Sequence, residues 1–199
     1  MKRNELAQRV KDRLQLDDLV VCGLGATEAA FRHVVAPCPT YYASDPMGVW
    51  SSVALGLALA QPARRVTLLA GDGDLLMSLQ SLATIAAAGA SNYRIVVFQN
   101  GAYSSTGGQR LTGADRLSFA TIARGAGFAW AEESRDAGEI DARLDALYAR
   151  PGPALLAVHL EDEPCPAAPP GPWSQVEERT LFMQAVQALG DPRRAQRTR

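Results

Sequence analysis

The 199-residue sequence is poor in the side chains that build metal centres and disulfide frameworks: it holds three cysteines (Cys22, Cys38, Cys165) and two histidines (His33, His159). An odd, scattered set of three thiols argues against a disulfide scaffold. It also argues against a structural zinc site, which takes about four Cys or His ligands at short spacing. An excess of either charge is missing too. Lys+Arg number 20 and Asp+Glu 21, a net charge of −1, so nothing draws the chain as a whole to nucleic acid or to an anionic membrane. No uncharged apolar run reaches the roughly 18 residues of a membrane span. The opening residues, Met1 to Glu5, lack the apolar stretch of a secretory signal. A cytoplasmic protein is expected. What the sequence does have is 47% hydrophobic residues, the share a globular core requires.

Short apolar runs alternate with helical patterns. Asp18–Leu24, Arg65–Ala70, Arg94–Gln99, Phe128–Ala131 and Ala154–Leu160 read as strands. Their almost continuous apolar character suits strands covered on both faces, as in a parallel sheet. Leu75, Leu79, Leu82 and Ala86 recur on one helical face, with Asp74 placed as a cap and Gly89 near the end. Phe119–Ala126, Ile140–Tyr148 and Ser174–Leu189 complete the helical patterns. The expected fold class is therefore α/β, a doubly wound, mostly parallel sheet with helices on both faces. Residues 164–172 are rich in proline and read as a strap. Arg193, Arg194, Arg197 and Arg199 read as a solvated basic tail.

One helical pattern is unusual. From Pro46, a natural first-turn residue, the chain runs through Met47 to Ala60 without a charge. A helix apolar all round must be covered all round, either centrally or by a second subunit.

Two glycine-rich turns follow strands. Gly23-Leu24-Gly25 carries two glycines of a dinucleotide fingerprint, but Glu28 stands where the third belongs. It reads first as a tight strand-to-helix turn, with a nucleotide-binding module as the alternative use. Gly71-Asp72-Gly73-Asp74 ends one strand and opens a helix, where ligands of open α/β sheets bind and where unpaired N–H groups suit a phosphate. A carboxylate at such a place repels phosphate unless a cation bridges them, so Asp72 suggests Mg2+ held against a diphosphate. The next strand ends in Gln99-Asn100-Gly101-Ala102-Tyr103. Asn100 there offers a second oxygen from the same edge of the sheet.

Gly71-Asp72-Gly73, 25 residues and then Gln99-Asn100 resembles the signature of thiamine diphosphate enzymes. The runs GDGDLLMSLQSLATIAAAG and FQNGAYSSTGGQ resemble most closely the sulfopyruvate and phosphonopyruvate decarboxylases, and the resemblance extends from about Leu19 to Leu160. It implies the diphosphate-binding (PP) type of domain over residues 1–163, followed by a strap, helix and tail over 164–199. It implies thiamine diphosphate and Mg2+ as cofactors. Asp72 and Asn100 would give side-chain oxygens to the metal and Ala102 its backbone carbonyl. Gly73 and Asp74 would offer N–H groups to the diphosphate, with Gly71 and Tyr103 in the same site. Met47 would wedge between the cofactor rings, and the Asp45 carbonyl would face the aminopyrimidine. Two departures stand out: the family usually has a small residue at the place of Asp74 and often a glycine at that of Asp45.

The implied reaction is decarboxylation of a small 2-oxoacid, sulfopyruvate to sulfoacetaldehyde first and phosphonopyruvate second. A split carboligase is the other enzyme reading. Arg110 is the cation nearest the polar loop Tyr103–Gln109, and His159 reads as structural. The activating glutamate of the family belongs to a separate pyrimidine-binding domain, and Glu28 does not match it. The expected partner is thus a second subunit that carries that domain.

Overall fold

The computed structural model describes residues 1–43, 46–165, 167–169 and 173–189. Apolar, β-branched segments form six strands: β1 (Leu19–Cys22), β2 (Thr40–Tyr42), β3 (Val66–Gly71), β4 (Tyr93–Gln99), β7 (Trp130–Ser134) and β8 (Ala154–His159). They make one sheet in the order β2-β1-β3-β4-β8-β7, every neighbouring pair parallel. The central strands β1, β3 and β4 are buried almost throughout, which is why they read as unbroken apolar runs. Two short strands, β5 (Ala102–Tyr103) and β6 (Gln109–Arg110), form a separate antiparallel pair beyond β4.

Helices cover both faces. On one lie α3 (Trp50–Ala60), α4 (Asp72–Leu76), α5 (Ser81–Ala88) and α6 (Phe119–Ala126). Trp50, Ala54, Leu55, Leu82, Ile85 and Phe119 fill the core beneath them. On the other lie α1 (Arg3–Lys11), α2 (Ala26–Arg32) and α7 (Ile140–Ala149), burying Leu6, Val10, Phe31, Ile140 and Leu144. The last helix, α8 (Gln175–Leu189), lies by β2. There Phe182 meets the Tyr41 ring edge-on at 5.5 Å, and Glu178 pairs with Arg32 at 2.7 Å. The doubly wound expectation is met.

Several local expectations change. The helix expected from Pro46 starts at Trp50, because Gly48 takes φ +81° and turns the chain first. Nor is α3 covered all round: Ser51, Ala54, Leu55 and Ala58 are buried, while Val53 and Leu59 are 44% and 55% exposed. The single helix expected after Asp74 is two, α4 and α5, separated by a turn over residues 77–80. Gly89 does end α5, in the left-handed conformation. The strand expected over Phe128–Ala131 is shifted to Trp130–Ser134. This is an edge strand, so it carries Glu132 and Glu133 and lost its apolar signal. Asp45, part of the strap, and the arginines of the tail lie outside the described residues.

Candidate functional site

The chain leaves β1 outward to β2 and then crosses back to β3, so the winding reverses between β1 and β3. The crevice at such a switch point is where open α/β sheets take ligands. A cleft sits there, built from the loops after β1, β3 and β4. From the β3 side come Gly71 to Asp74, and from the β4 side Asn100, Ala102 and Tyr103. Met47 reaches it from the turn before α3. Every described residue expected to touch the cofactor or the metal, namely Met47, Gly71 to Asp74, Asn100, Ala102 and Tyr103, lines this one cleft; Asp45 lies outside the described residues.

Asp72 is 2% exposed. Its Oδ1 accepts the Gly73 N–H at 2.8 Å and its Oδ2 the Gly101 N–H at 2.6 Å. Burial pushes the Asp72 carboxyl above the usual carboxylate range, while the Gly101 and Gly73 amides pull it back. The two amides fix the carboxylate in place and leave its remaining lone pairs toward Asn100.

The Asn100 amide gives the sharpest indication of what the cleft holds. With Nδ2 donating to Ser104 Oγ at 2.7 Å, its oxygen faces two other acceptors: Asp72 Oδ1 at 3.3 Å and the Ala102 carbonyl at 3.2 Å. Turned over, the amide nitrogen donates to both of those oxygens. The spot therefore demands positive character. An N–H supplies it in one orientation and a cation in the other. Cis ligands of a magnesium ion at 2.0–2.1 Å lie roughly 2.9 Å apart, so a slight contraction would seat one. A carboxylate, an amide oxygen and a carbonyl are the hard donors Mg2+ takes. Among the described residues no cluster of three or more His, Cys, Asp or Glu side chains offers another metal site.

Asp74, unexplained in the sequence, has a partner. It is 6% exposed, and its Oδ1 accepts the Gly48 N–H at 2.6 Å. It does not cap a helix; it ties the Met47-Gly48 turn to α4. Burial raises its carboxyl too, and the Gly48 amide opposes the shift. Gly73 is required by close approach: a Cβ there would lie 2.5 Å from the Tyr103 ring.

The first glycine turn also joins the site. Gly25, at φ +72°, begins α2, and a Cβ on it would collide with Ser105 Oγ at 2.1 Å. Leu24, Ala26 and Thr27 line the cleft, as do Ser105 and Arg3. From the sequence this turn read first as a tight strand-to-helix turn, with nucleotide binding as the alternative, because its two glycines alone carried no stronger signal.

Other candidates stand apart. Glu28 pairs with Arg32 at 2.8 Å. His159 bonds Glu133, which also accepts from Ser118 Oγ at 2.7 Å. Arg110 pairs with Asp115, both exposed. His159 and Arg110 line a second, neighbouring cleft beside Asn100.

Residues 25–158 match the family model of the thiamine pyrophosphate enzyme, C-terminal TPP binding domain. The chain is 38% identical over 128 residues to the sulfopyruvate decarboxylase subunit beta of Methanothermobacter thermautotrophicus, covering 64% of this chain and 68% of that one. It is 36% identical over 157 residues to the phosphonopyruvate decarboxylase of Streptomyces viridochromogenes, covering 79% of this chain but 38% of the relative. An X-ray structure from Mycobacterium smegmatis, described as a candidate thiamin diphosphate-dependent enzyme, superposes with a TM-score of 0.69 at 24% identity, over 82% of this chain and 32% of that one. The chain belongs to the thiamine pyrophosphate enzyme family, matching its C-terminal TPP binding domain.

Proposed function

We propose that the chain is the diphosphate-binding subunit of a thiamine diphosphate-dependent 2-oxoacid decarboxylase. In this reading it converts sulfopyruvate to sulfoacetaldehyde and carbon dioxide together with a separate pyrimidine-binding subunit. The observation that carries the reading is the Asn100 amide standing within 3.3 Å of both Asp72 Oδ1 and the Ala102 carbonyl, in the cleft of a family member whose relatives include sulfopyruvate decarboxylase beta subunits.

Asp72, Asn100 and the Ala102 carbonyl would hold Mg2+ against the diphosphate, with Gly73 and Asp74 turning backbone N–H groups toward it, the Gly73 N–H resting on Asp72 Oδ1 at 2.8 Å in this structure, and Gly71 beside them. Met47 would press between the rings and keep the cofactor bent. Asp74, through the Gly48 amide, would hold Met47 at that place. The Asp45 carbonyl would take the aminopyrimidine. Tyr103, packed over Gly73, would close the cleft against water. When bound, the cofactor supplies the electron sink for the carbon–carbon bond that breaks as carbon dioxide leaves. Glu28, already paired with Arg32, is not free to serve as the activating acid, which supports placing that glutamate on the partner. In this reading residues 1–163 are the cofactor-binding unit and 164–199 an appended strap, helix and tail. Cys22 and Cys38, buried as thiols, suit the reducing conditions of the cytoplasm.

Phosphonopyruvate is the second reading, favoured by the longer match to a phosphonopyruvate decarboxylase, 157 residues against 128. Titration of the assembled enzyme with thiamine diphosphate and Mg2+, followed by turnover of each 2-oxoacid, tests both. Tight cofactor binding with sulfopyruvate preferred is expected. Absence of Mg2+-dependent binding would refute the site.

A further inference from the structure

Among the described residues two arginines are buried, and they are treated oppositely. Arg94 is 5% exposed and gives its N–H groups to the carbonyls of Leu147 at 2.8 Å, Ser91 at 2.9 Å, Tyr93 at 3.1 Å and Arg150. Burial, and the nearby Arg65 charge after it, lower its pKa to about 10. Arg3 is 3% exposed, its buried Nη2 has no hydrogen-bond partner, and among the described residues its guanidinium forms no ion pair. Its backbone N–H reaches Glu163 at 3.2 Å, but the side chain does not. A buried, uncompensated cation is among the costliest groups a fold can hold.

Helix electrostatics do not account for it either. Arg3 stands in the first turn of α1, where the helix dipole favours acids. Glu5 in that turn and Arg9 and Lys11 in the last turn follow the rule; Arg3 breaks it. The side chain lines the same cleft as Thr27, Asp72 and Asn100, and it is the only cationic side chain among the residues lining it. Neither carboxylate of the cleft, Asp72 or Asp74, pairs with it. Both are occupied by backbone amides, from Gly73 and Gly101 for Asp72 and from Gly48 for Asp74.

We propose that Arg3 is a ligand-binding residue whose guanidinium awaits non-bridging oxygens of the cofactor's diphosphate. This rests on the reading of the cleft given above and deepens it. The β1, β3 and β4 loops would approach the diphosphate with neutral N–H groups and the metal. α1, from the opposite face of the sheet, adds the one charged donor. A planar guanidinium suits phosphate oxygens bidentately. The uncompensated charge is then a binding device: α1 carries a cost in the empty protein that the anion removes.

The test is calorimetric titration of the assembled enzyme, this chain with its pyrimidine-binding partner, with Mg2+ and inorganic pyrophosphate, and separately with thiamine diphosphate, for wild type, Arg3→Met, Arg3→Lys and Asp72→Ala. Thermal unfolding of each ligand-free protein is measured alongside. Arg3→Met should weaken both ligands by about 10–100-fold, with Arg3→Lys recovering part of the loss. Because Met fills similar space without a charge, ligand-free Arg3→Met should melt at or above the wild-type temperature. A purely structural arginine would move the other way, melting lower with affinity little changed. Unchanged pyrophosphate and thiamine diphosphate affinity in Arg3→Met, while Asp72→Ala abolishes binding, overturns the Arg3 proposal and leaves the site standing. No Mg2+-dependent binding by wild type overturns both.

Discussion

The two faces of the sheet are finished differently. On the α1/α7 face the outer surface is laced with ion pairs: Arg9 to Asp141 at 2.7 Å, Arg13 to Asp141 at 3.0 Å and Arg13 to Asp145 at 2.7 Å. These helices bury leucine, valine and isoleucine inward and present charge outward, a surface made for water. On the other face α3 has no charged residue at all. Its outward residues include Val53 and Leu59, and Met77 after α4 is 53% exposed. α8 adds Val176 at 72% and Met183 at 54%. One chain under one composition thus builds one face dressed with ion pairs and another, over α3, without a charge. The cleft lies where the faces meet, with Met47 and α4 on the unfinished side and Arg3 and Thr27 on the finished one. That placement is what an active site shared with a partner needs.

The largest effect is expected at the meeting line. Asp72→Ala should abolish Mg2+-dependent thiamine diphosphate binding in the assembled enzyme, read by calorimetry, because in the proposed site Asp72 would be the one charged metal ligand. Wild-type affinity in that variant would remove the site assignment altogether.

Next comes the unfinished face itself. Val53→Asp combined with Leu59→Asp should leave the monomer folded by circular dichroism, since both side chains already meet water. Buried unpaired against a partner, two carboxylates would cost several kcal/mol, roughly 3–5 or more, and co-purification should fail. If the complex survives, α3 is not the covered surface.

The turn before α3 sharpens the link between surface and site. Met47→Ala should cost less than the ~2–5 kcal/mol of a fully buried methionine, because Met47 is half-buried. Turnover should fall more than cofactor affinity. Asp74→Ala frees the same turn by removing the Gly48 contact and should reproduce that pattern. Should Asp74→Ala instead lose affinity and keep turnover, its role lies with the diphosphate.

The smallest effect belongs to the finished face. Arg13→Ala should change stability by only about 0.2–1 kcal/mol in chemical denaturation, as exposed ion pairs do, with assembly and turnover unaltered. A large loss of activity there would erase the distinction between the faces.

Much of this was legible in the sequence, for a physical reason. β3, β4 and β8 are covered on both sides, so their apolar runs are unbroken, and the glycine-flanked Asp72 with Asn100 marks their carboxyl ends. What stayed hidden depended on contacts distant in sequence. β2 is three half-buried residues, Thr40–Tyr42, too short and too exposed to leave a pattern. The partner of Asp74 is 26 residues away. Gly25 reads as a turn residue until Ser105 is seen above it. Arg3, among the charged residues at the start of the chain, looks solvated until α1 docks Leu6, Ala7 and Val10 on the sheet and draws the guanidinium into the cleft.

The central claim is that this chain supplies half of an active site. It is tested most directly by decarboxylation of sulfopyruvate with thiamine diphosphate and Mg2+, comparing the purified chain with the chain co-expressed with a pyrimidine-binding subunit. The account predicts carbon dioxide and sulfoacetaldehyde from the pair and none from the chain alone. Full turnover by this polypeptide with no second protein present would contradict it.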